Sequence, residues 1–162
     1  MRGNAKHEQD MKDNGIKMID LVVLNLYAFE DTVAKGYNFE TCIENIDIGG
    51  PSMLRSSAKN HAAVVICSSP AQYPALMEEM KMHDGCTTIE LRRRFAAEAF
   101  ALSAKYDAAI SSWFAKQLNP EQKTDVIVTR PYLPVRELKY GVNPHQKPAG
   151  LYRHLSGRAP SP

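Results

Sequence analysis

Apolar residues in this chain cluster in two short runs, which lie between stretches with helical spacing. The first run falls within residues 19–26 and contains Leu-Val-Val-Leu, and the second spans residues 62–67 with the sequence Ala-Ala-Val-Val-Ile-Cys. Both are short, continuous and rich in β-branched residues, which is typical of strands buried on both faces of a parallel sheet. The pattern therefore predicts two buried parallel strands.

Around these runs, apolar residues recur every three or four positions, which predicts helices. Asn38 is a candidate N-cap for a helix over residues 39–46. Pro51 suits the first position of a second helix that continues to about Lys59, and Pro70 opens a third helix after the second strand.

The longest predicted helix starts with a capping box at Thr87 and Glu90 and continues to about Gln117. Its apolar stripe consists of Leu91, Phe95, Ala99, Leu102, Tyr106, Ile110 and Trp113. A stripe of this kind favours core packing over a stacking platform. Arg92 and Arg93 decorate the other side, where a solvated face is favoured over a phosphate-binding role.

Strand, helix and strand in this order predict an α/β fold with helices on the faces of a parallel sheet. Sheets usually have ~4–6 strands, so two strands indicate the later part of a domain whose earlier strands are missing. Prolines interrupt the sequence after residue 118, with one short strand candidate at residues 125–128, which indicates a linker or arm. The tail over 156–162 is predicted to be disordered.

The composition is that of an ordinary soluble protein of one-domain size. The chain has 162 residues, 44% of them apolar, and its net charge of +2 is too mild to indicate a nucleic-acid surface. No apolar stretch approaches the ~18 residues of a membrane span, and the polar first ten residues lack a signal-peptide core. The three cysteines show no metal-type spacing, so we expect reduced thiols, no metal site and a cytoplasmic protein.

Residues 46–61 contain the most promising candidate chemistry. Asp47 precedes Gly49 and Gly50, whose amides can approach an anion or oxyanion, and Lys59 supplies an amine at the far end of the same predicted helix. Each residue also has a structural explanation. The aspartate can serve as a turn or cap carboxylate, and a lysine is favoured at a helix C-terminus by the dipole.

Several motifs point to one family when they are taken in order. They are residues 25–29 (Asn-Leu-Tyr-Ala-Phe), 46–50 (Ile-Asp-Ile-Gly-Gly), Arg55, 58–61 (Ala-Lys-Asn-His), 105–111 (Lys-Tyr-Asp-x-x-Ile-Ser) and 140–146 (Tyr-Gly-x-Asn-Pro-His-Gln). Together they resemble the bifunctional purine-biosynthesis enzyme AICAR transformylase/IMP cyclohydrolase. The resemblance runs from about Asp13 to Tyr152, and its last motif resembles the opening of the transformylase domain.

The resemblance implies a partial methylglyoxal-synthase-like parallel sheet with flanking helices, followed by an extended linker arm. Residues 1–118 would form the partial cyclohydrolase domain, 119–137 the linker, and 138–162 the start of the transformylase domain and the tail. The implied reaction closes the purine ring of formyl-AICAR to give IMP and water. This step needs a base, oxyanion donors and an acid, and it needs neither a metal nor an organic cofactor.

The resemblance also assigns roles to residues of this sequence. Tyr27, Asp47 and Lys59 match catalytic positions, where they would handle the formyl oxygen, contact the reacting carboxamide and stabilise charge, respectively. The substrate-binding positions that it implies are Asn25, Ile48, Gly49, Gly50, Asn60, Tyr140 and His145. Without the resemblance, Tyr27 would be a surface-loop tyrosine, and structural hydrogen bonding would be the favoured role of Asn60 and His61.

The sequence departs from the family pattern in four places. The preceding segment with a Lys-Thr-Leu-His-Pro-like motif and the large transformylase domain with its folate site are both absent. Ala28 stands where the family usually has proline, which loosens the loop that carries Tyr27. Lys139 stands where the family usually has an arginine that helps to bind AICAR, and lysine cannot reproduce a bidentate contact.

Three functional hypotheses follow from these observations. The first is a cyclohydrolase acting on a purine ribonucleotide, in a homodimeric family that also formylates AICAR with 10-formyltetrahydrofolate. The second is a catalytically incompetent fragment, which at most binds a purine nucleotide or a partner subunit. The third is a phosphate-binding regulatory domain of the methylglyoxal-synthase type, against which the cluster at 140–146 argues. None of them involves nucleic acid or a membrane.

Overall fold

The computed structural model of the chain describes residues 2–118, 129 and 132–154. In chain order the elements are α1 (Ala5–Asp13), β1 (Leu21–Val23), α2 (Phe29–Ala34), α3 (Phe39–Glu44), α4 (Gly49–Lys59), β2 (Val65–Cys67), α5 (Tyr73–Met82), α6 (Ile89–Leu118), β3 (Tyr132–Leu138) and β4 (Ala149–His154), with a 3-10 turn over Pro70–Gln72 before α5. The described residues divide between two compact units, Met1–Leu26 with Asp47–Ala101 and Tyr27–Ile46 with Leu102–Pro162. Helix α6 contributes residues to both units.

The first unit contains the parallel strand pair that the sequence predicts. Strand β1 pairs with β2 so that Leu21 lies opposite Val65 and Val23 lies opposite Cys67. The ladder continues past β1, where the amide of Leu24 donates to the carbonyl of Cys67 at 3.0 Å. Both strands are shorter than the apolar runs that predict them. The predicted α/β class, with a small parallel sheet and flanking helices, is confirmed.

The two strands differ in burial. All three residues of β2 are buried, as predicted. In β1, however, Leu21 is 40% exposed and Val23 is 51% exposed, so the prediction that this strand is buried on both faces is wrong. Helix α1, which precedes β1 in the chain, is polar and has no buried residue of its own, and β2 is the only ladder partner of β1 in the described part of the chain.

The core of the first unit is built around β2. Helix α4 packs against β2, as expected for a helix that precedes a parallel strand and lies on one face of its sheet. The buried apolar residues of this unit are Leu54, Ala58, Val65, Ile66, Cys67, Leu76, Leu91, Phe95, Ala96 and Ala99. They include the N-terminal part of the stripe that the sequence predicts for the longest helix, so this part of the pattern is confirmed.

The predicted start is correct for α3, whereas α4 and α6 begin at residues other than those predicted. Asn38 caps α3, because its side-chain oxygen accepts the amide of Thr41 at 2.9 Å. Helix α4 begins two residues before Pro51, since the Gly-Gly pair already adopts helical geometry. The cap of α6 is Thr88 and not Thr87, because it is the hydroxyl of Thr88 that accepts the amide of Leu91 at 3.3 Å.

The second unit is organised by aromatic rings. The ring of Phe29 meets Tyr106 and Trp113 edge-on, at centroid distances of 6.3 and 5.6 Å. The amine of Lys105 lies 2.7 Å from the carboxylate of Glu30, which ties α2 to α6 by an ion pair. The motif at residues 105–111 therefore supplies packing and ionic contacts for the segment that begins at Tyr27.

Strands β3 and β4 form an antiparallel hairpin with an irregularity between Pro134 and Arg136. All seven residues of β3 are exposed. The predicted boundary after residue 137 falls inside β3, so the last part of the predicted linker is a hairpin strand, and the domain boundaries stay predictions. The strand candidate at 125–128 and the tail at 156–162 lie outside the described residues.

Among the residues that the structure describes, no helix is both long and apolar enough to cross a membrane.

Candidate functional site

The start of α4 holds the most tightly constrained of the candidate residues. The carboxylate of Asp47 accepts the backbone amide of Gly50 at 2.7 Å. Gly50 is buried, and a Cβ added to it would lie 2.7 Å from the carboxyl carbon of Asp47. Gly49 has open space around it, and Ile48 is 76% exposed.

This geometry gives Asp47 a capping role, which is the structural alternative that the sequence allowed. The Gly50 amide, one of the donors predicted to approach a ligand, is already bonded to protein. A carboxylate has about four lone-pair positions on two oxygens, so this bond takes up only part of its acceptor capacity. Asp47 is therefore held in place by the turn that it caps.

The far end of α4 holds Lys59, Asn60 and His61. The side-chain amide of Asn60 donates to the carbonyl of Ser56 at 2.8 Å, and its backbone amide bonds the same turn. A ring nitrogen of His61 lies 3.0 Å from the carbonyl of Ala58. Asn60 thus closes the helix, as its structural interpretation predicts, and the substrate-binding role that the resemblance implies for it stays a prediction.

Asp47 and Lys59 lie at opposite ends of α4. The helix has 11 residues, which corresponds to a length of roughly 16 Å. This distance exceeds the combined reach of an aspartate and a lysine side chain. Within one chain, the two groups would therefore contact different parts of a ligand, as their placement at the two ends of one predicted helix indicates.

Asn25 and Tyr27 follow β1, at the carboxyl end of the strand, where α/β sheets commonly build sites. Both are exposed, Tyr27 by 61%. The carbonyl of Tyr27 accepts the amide of Phe29 at 2.9 Å, and the ring of Phe29 is buried within the second unit. Tyr27 belongs to that unit, and its catalytic role stays a prediction.

Arg55 lies on α4 between the two ends. Its guanidinium carbon is 5.5 Å from the centroid of the Phe100 ring, within range for a cation–π contact. The sequence left open whether Arg55 pairs with a carboxylate or faces a phosphate. The ring contact gives it a packing role that neither alternative included.

Arg92 is the residue that the sequence interpretation missed. Predicted to lie on a solvated face, it is instead half-buried, and its Nε donates to the carbonyl of His61 at 2.9 Å. Further hydrogen bonds reach the carbonyl of Ala62 at 3.3 Å, the hydroxyl of Thr87 at 3.1 Å, and the carbonyl of Thr87. A signal was present, since a cation in the first turns of a helix is unfavourable unless it has acceptors of its own.

The cluster at 140–146 forms an ordered turn. The amide of Gly141 donates to the carbonyl of Gln146 at 2.9 Å, and the amide of Asn143 donates to the side-chain oxygen of Gln146 at 3.0 Å. A Cβ on Gly141 would lie 2.8 Å from that oxygen. Tyr140 is 41% exposed and His145 is exposed, so both side chains can be reached by a ligand, and their substrate-binding role stays a prediction.

In the described part of the chain, no group of three or more histidine, cysteine, aspartate or glutamate side chains is arranged to hold a metal ion.

Comparison with family models assigns most of the chain. The model described as the AICARFT/IMPCHase bienzyme matches residues 57–161, and the model of the MGS-like domain matches residues 1–52. The first runs from the last turn of α4 to residue 161, and the second covers the chain up to the first turn of α4.

Curated relatives agree with this assignment. The chain is 48% identical over 157 residues to the bifunctional purine biosynthesis protein PurH of Agrobacterium fabrum, which covers 94% of this chain and 28% of that protein. For the protein of the same name from Chlorobaculum parvum, the identity is 46% over 158 residues, with 97% and 30% covered. The chain therefore spans less than a third of the length of these relatives.

Among solved structures, the chain is similar to the crystal structure of ForH, with a TM-score of 0.59 and 31% sequence identity. The match covers 70% of this chain and 59% of that chain. The similarity extends beyond the fold to the sequence.

Proposed function

The chain belongs to the AICARFT/IMPCHase bienzyme family, and we propose that it carries part of the site that cyclises formyl-AICAR to IMP in purine biosynthesis. In this reaction the carboxamide nitrogen attacks the formyl carbon, and water is then lost. The observation that carries the proposal is the family match over residues 57–161.

The geometry supports distinct roles for the three candidate catalytic residues. Asp47 is fixed by its bond to Gly50, so its carboxylate can orient the carboxamide and take a proton from its nitrogen. The hydroxyl of Tyr27, an exposed residue, would interact with the formyl oxygen. Lys59 is exposed at the far end of α4 and would stabilise negative charge that develops during cyclisation.

The wider proposals follow from the family. The relatives that the chain matches are named as bifunctional, so we propose that the protein also takes part in formylating AICAR with 10-formyltetrahydrofolate, whose binding site would lie outside these residues. Tyr140 and His145 would contribute to AICAR binding in that second activity. We further propose a cytoplasmic location and a homodimer.

A second candidate function is binding of a purine nucleotide without turnover. The cap that Asp47 makes on α4 favours it, because this bond explains the aspartate without any catalysis. The separation of Asp47 and Lys59 along α4 favours it as well.

The test is IMP formation from formyl-AICAR by the purified chain. We expect Lys59→Ala and Asp47→Asn to lower kcat by about 10²-fold or more, as for removal of a group that stabilises transition-state charge. Lys81→Ala is the matched control, since Lys81 is an exposed lysine in the last turn of another helix, α5. It should have the activity of the original chain.

The two candidate functions give different results in this test. A folded chain without turnover, whose Tm rises with saturating IMP, would support the binding function and contradict the catalytic one. A folded chain with neither turnover nor a rise in Tm at saturating IMP would contradict both.

A further inference from the structure

Arg92 joins two segments of the first unit that are about thirty residues apart in sequence. Its hydrogen bonds to His61 and Ala62 span sequence separations of 31 and 30 residues, and those to Thr87 span five. Three of the four acceptors are backbone carbonyls. We call this set of hydrogen bonds from Arg92 to His61, Ala62 and Thr87 the Arg92 clamp.

The clamp holds the turn that follows Lys59. After α4 ends, the carbonyl of Asn60 accepts the amides of Ala63 and Val64 at 2.9 and 3.0 Å, and β2 begins immediately afterwards. The carbonyls of His61 and Ala62 lie within this turn, and Arg92 provides donors for both. The backbone after Lys59 is thus held by two sets of hydrogen bonds. One set lies within the turn and ends on the carbonyl of Asn60, and the other comes from Arg92 on α6.

An arginine is required for this geometry. The guanidinium is planar and carries five N–H groups in a fixed fork, so its Nε and both terminal nitrogens can serve separate acceptors at once. A lysine ammonium is a compact charge at the end of a flexible stem and cannot span the same carbonyls. Arg93, its neighbour on α6, is exposed and provides a comparison on the same helix.

We propose that Arg92 is a positioning residue for Lys59, through the turn over residues 60–64. The proposal rests on the proposed catalytic role of Lys59. Without the clamp, the end of α4 and the turn move more freely, so the amine of Lys59 spends less time where charge develops. Substrate binding does not depend on this placement, so kcat falls while KM changes little.

The first readout is kinetic. We expect Arg92→Ala to lower kcat by about tenfold, as for the loss of a charge-assisted hydrogen bond, and Arg92→Lys to restore little of it. Arg93→Ala should leave kcat and KM unchanged. In the Lys59→Ala background, Arg92→Ala should cause no further loss, because a residue that acts through Lys59 has no effect once Lys59 is gone. If the alanine variant does not fold, Arg92→Lys takes its place in this cycle.

The second readout is independent of turnover. Amide hydrogen exchange at Ala63 and Val64 should be about tenfold faster in Arg92→Ala than in the original chain, and unchanged in Arg93→Ala. Millimolar guanidinium should slow exchange again in Arg92→Ala, since it can occupy the vacated carbonyls. Exchange that is unaltered by the substitution would overturn the clamp.

The outcomes separate this inference from the proposed function. An active chain in which Arg92→Ala keeps its kcat, or adds its full loss to that of Lys59→Ala, overturns the positioning role and leaves the cyclohydrolase proposal intact. A folded chain without turnover overturns the proposed function and with it the role of Arg92 toward Lys59. Exchange at Ala63 and Val64 then decides only whether the clamp holds the turn.

Discussion

At the start of α4, the position of the Asp47 carboxylate requires a glycine at residue 50. The carboxylate accepts the amide of Gly50 at 2.7 Å, and the space where any other residue would carry its Cβ is filled by that same carboxylate. A glycine at this position is therefore a steric requirement of the aspartate cap. The neighbouring Gly49 has no such restriction, because no atom lies within 4 Å of its Cβ position.

Gly50→Ala should destabilise the protein by about 1–2 kcal/mol, because the new methyl group displaces Asp47 and the capping bond is lost. Gly49→Ala is the matched control and should be neutral or gain about 0.5 kcal/mol, through the lower entropy of the unfolded chain. Urea denaturation of both variants measures the difference. Equal stability of the two variants would contradict the steric argument.

The same pair predicts a non-additive effect. Asp47→Ala alone should cost about 1 kcal/mol, as for the loss of an N-terminal cap. In the Gly50→Ala background it should cost much less, because the cap is already broken and the clash disappears with the carboxylate. A double-mutant cycle by urea denaturation measures this coupling, and full additivity would show that the two residues act independently.

Glu79 should make stability depend on pH in the acid range. Hydrogen bonds from the hydroxyl of Thr88, and then from its backbone amide at 2.9 Å, lower the pKa of Glu79 below its ordinary value. A lowered pKa in the folded state stabilises the protein above the ordinary glutamate pKa of about 4.3, and this contribution is lost as the pH falls through the folded pKa.

We therefore expect the urea midpoint of the original chain to fall more steeply between about pH 5 and pH 3 than that of Glu79→Gln. Glu78→Gln, at the exposed neighbouring position, should follow the original chain. Parallel curves for the original chain and Glu79→Gln would show that the bonds to Thr88 do not favour the charged carboxylate.

The three cysteines should differ in reactivity. Cys86 is exposed, whereas Cys42 and Cys67 are buried. Burial raises the pKa of the Cys67 thiol above its ordinary value, so less of the reactive thiolate forms at neutral pH. A thiol reagent at pH 7.5 should modify Cys86 quickly and the other two only after urea unfolds the chain. Rapid modification of all three in the native protein would contradict the burial of Cys42 and Cys67.

Phe29→Ala should be among the most damaging substitutions in the second unit. The ring is 1% exposed and makes edge contacts with Tyr106 and Trp113, so its removal should cost about 3–5 kcal/mol. Trp113 is the only tryptophan of the sequence, so its fluorescence reports the change directly. Phe100→Ala, at a position 40% exposed, should cost much less. Similar losses for the two variants would contradict the anchoring role of Phe29.

The features predicted correctly from sequence depend on local patterns. The parallel pairing of β1 with β2 follows from two β-branched runs, and the Asn38 cap and the stripe of α6 follow from spacing and side-chain chemistry. The cap and the stripe are determined by residues that are close in sequence, whereas the strand pairing joins two distant runs that are each recognisable by themselves. The resemblance to a family was equally readable, because its motifs are short and keep their order.

The features that were mispredicted depend on distant contacts. The exposure of β1 depends on which elements cover it, and the apolar run itself carries no such information. Arg92 bonds carbonyls about thirty positions earlier, which its own helix does not reveal. The separation of Asp47 from Lys59, in contrast, follows from the sequence, since a continuous helix between two residues fixes their distance.

The Arg92 clamp also has a consequence for the order of folding. Its bonds to His61 and Ala62 close a loop that contains β2, the 3-10 turn and α5. Loop closure costs entropy before the bond is gained, so these carbonyls stay hydrated until α6 docks, whereas the hydrogen bonds within α4 join residues that are close in sequence. Substitution of Arg92 should accordingly speed unfolding and leave the folding rate nearly unchanged, which is the behaviour of a contact made after the transition state.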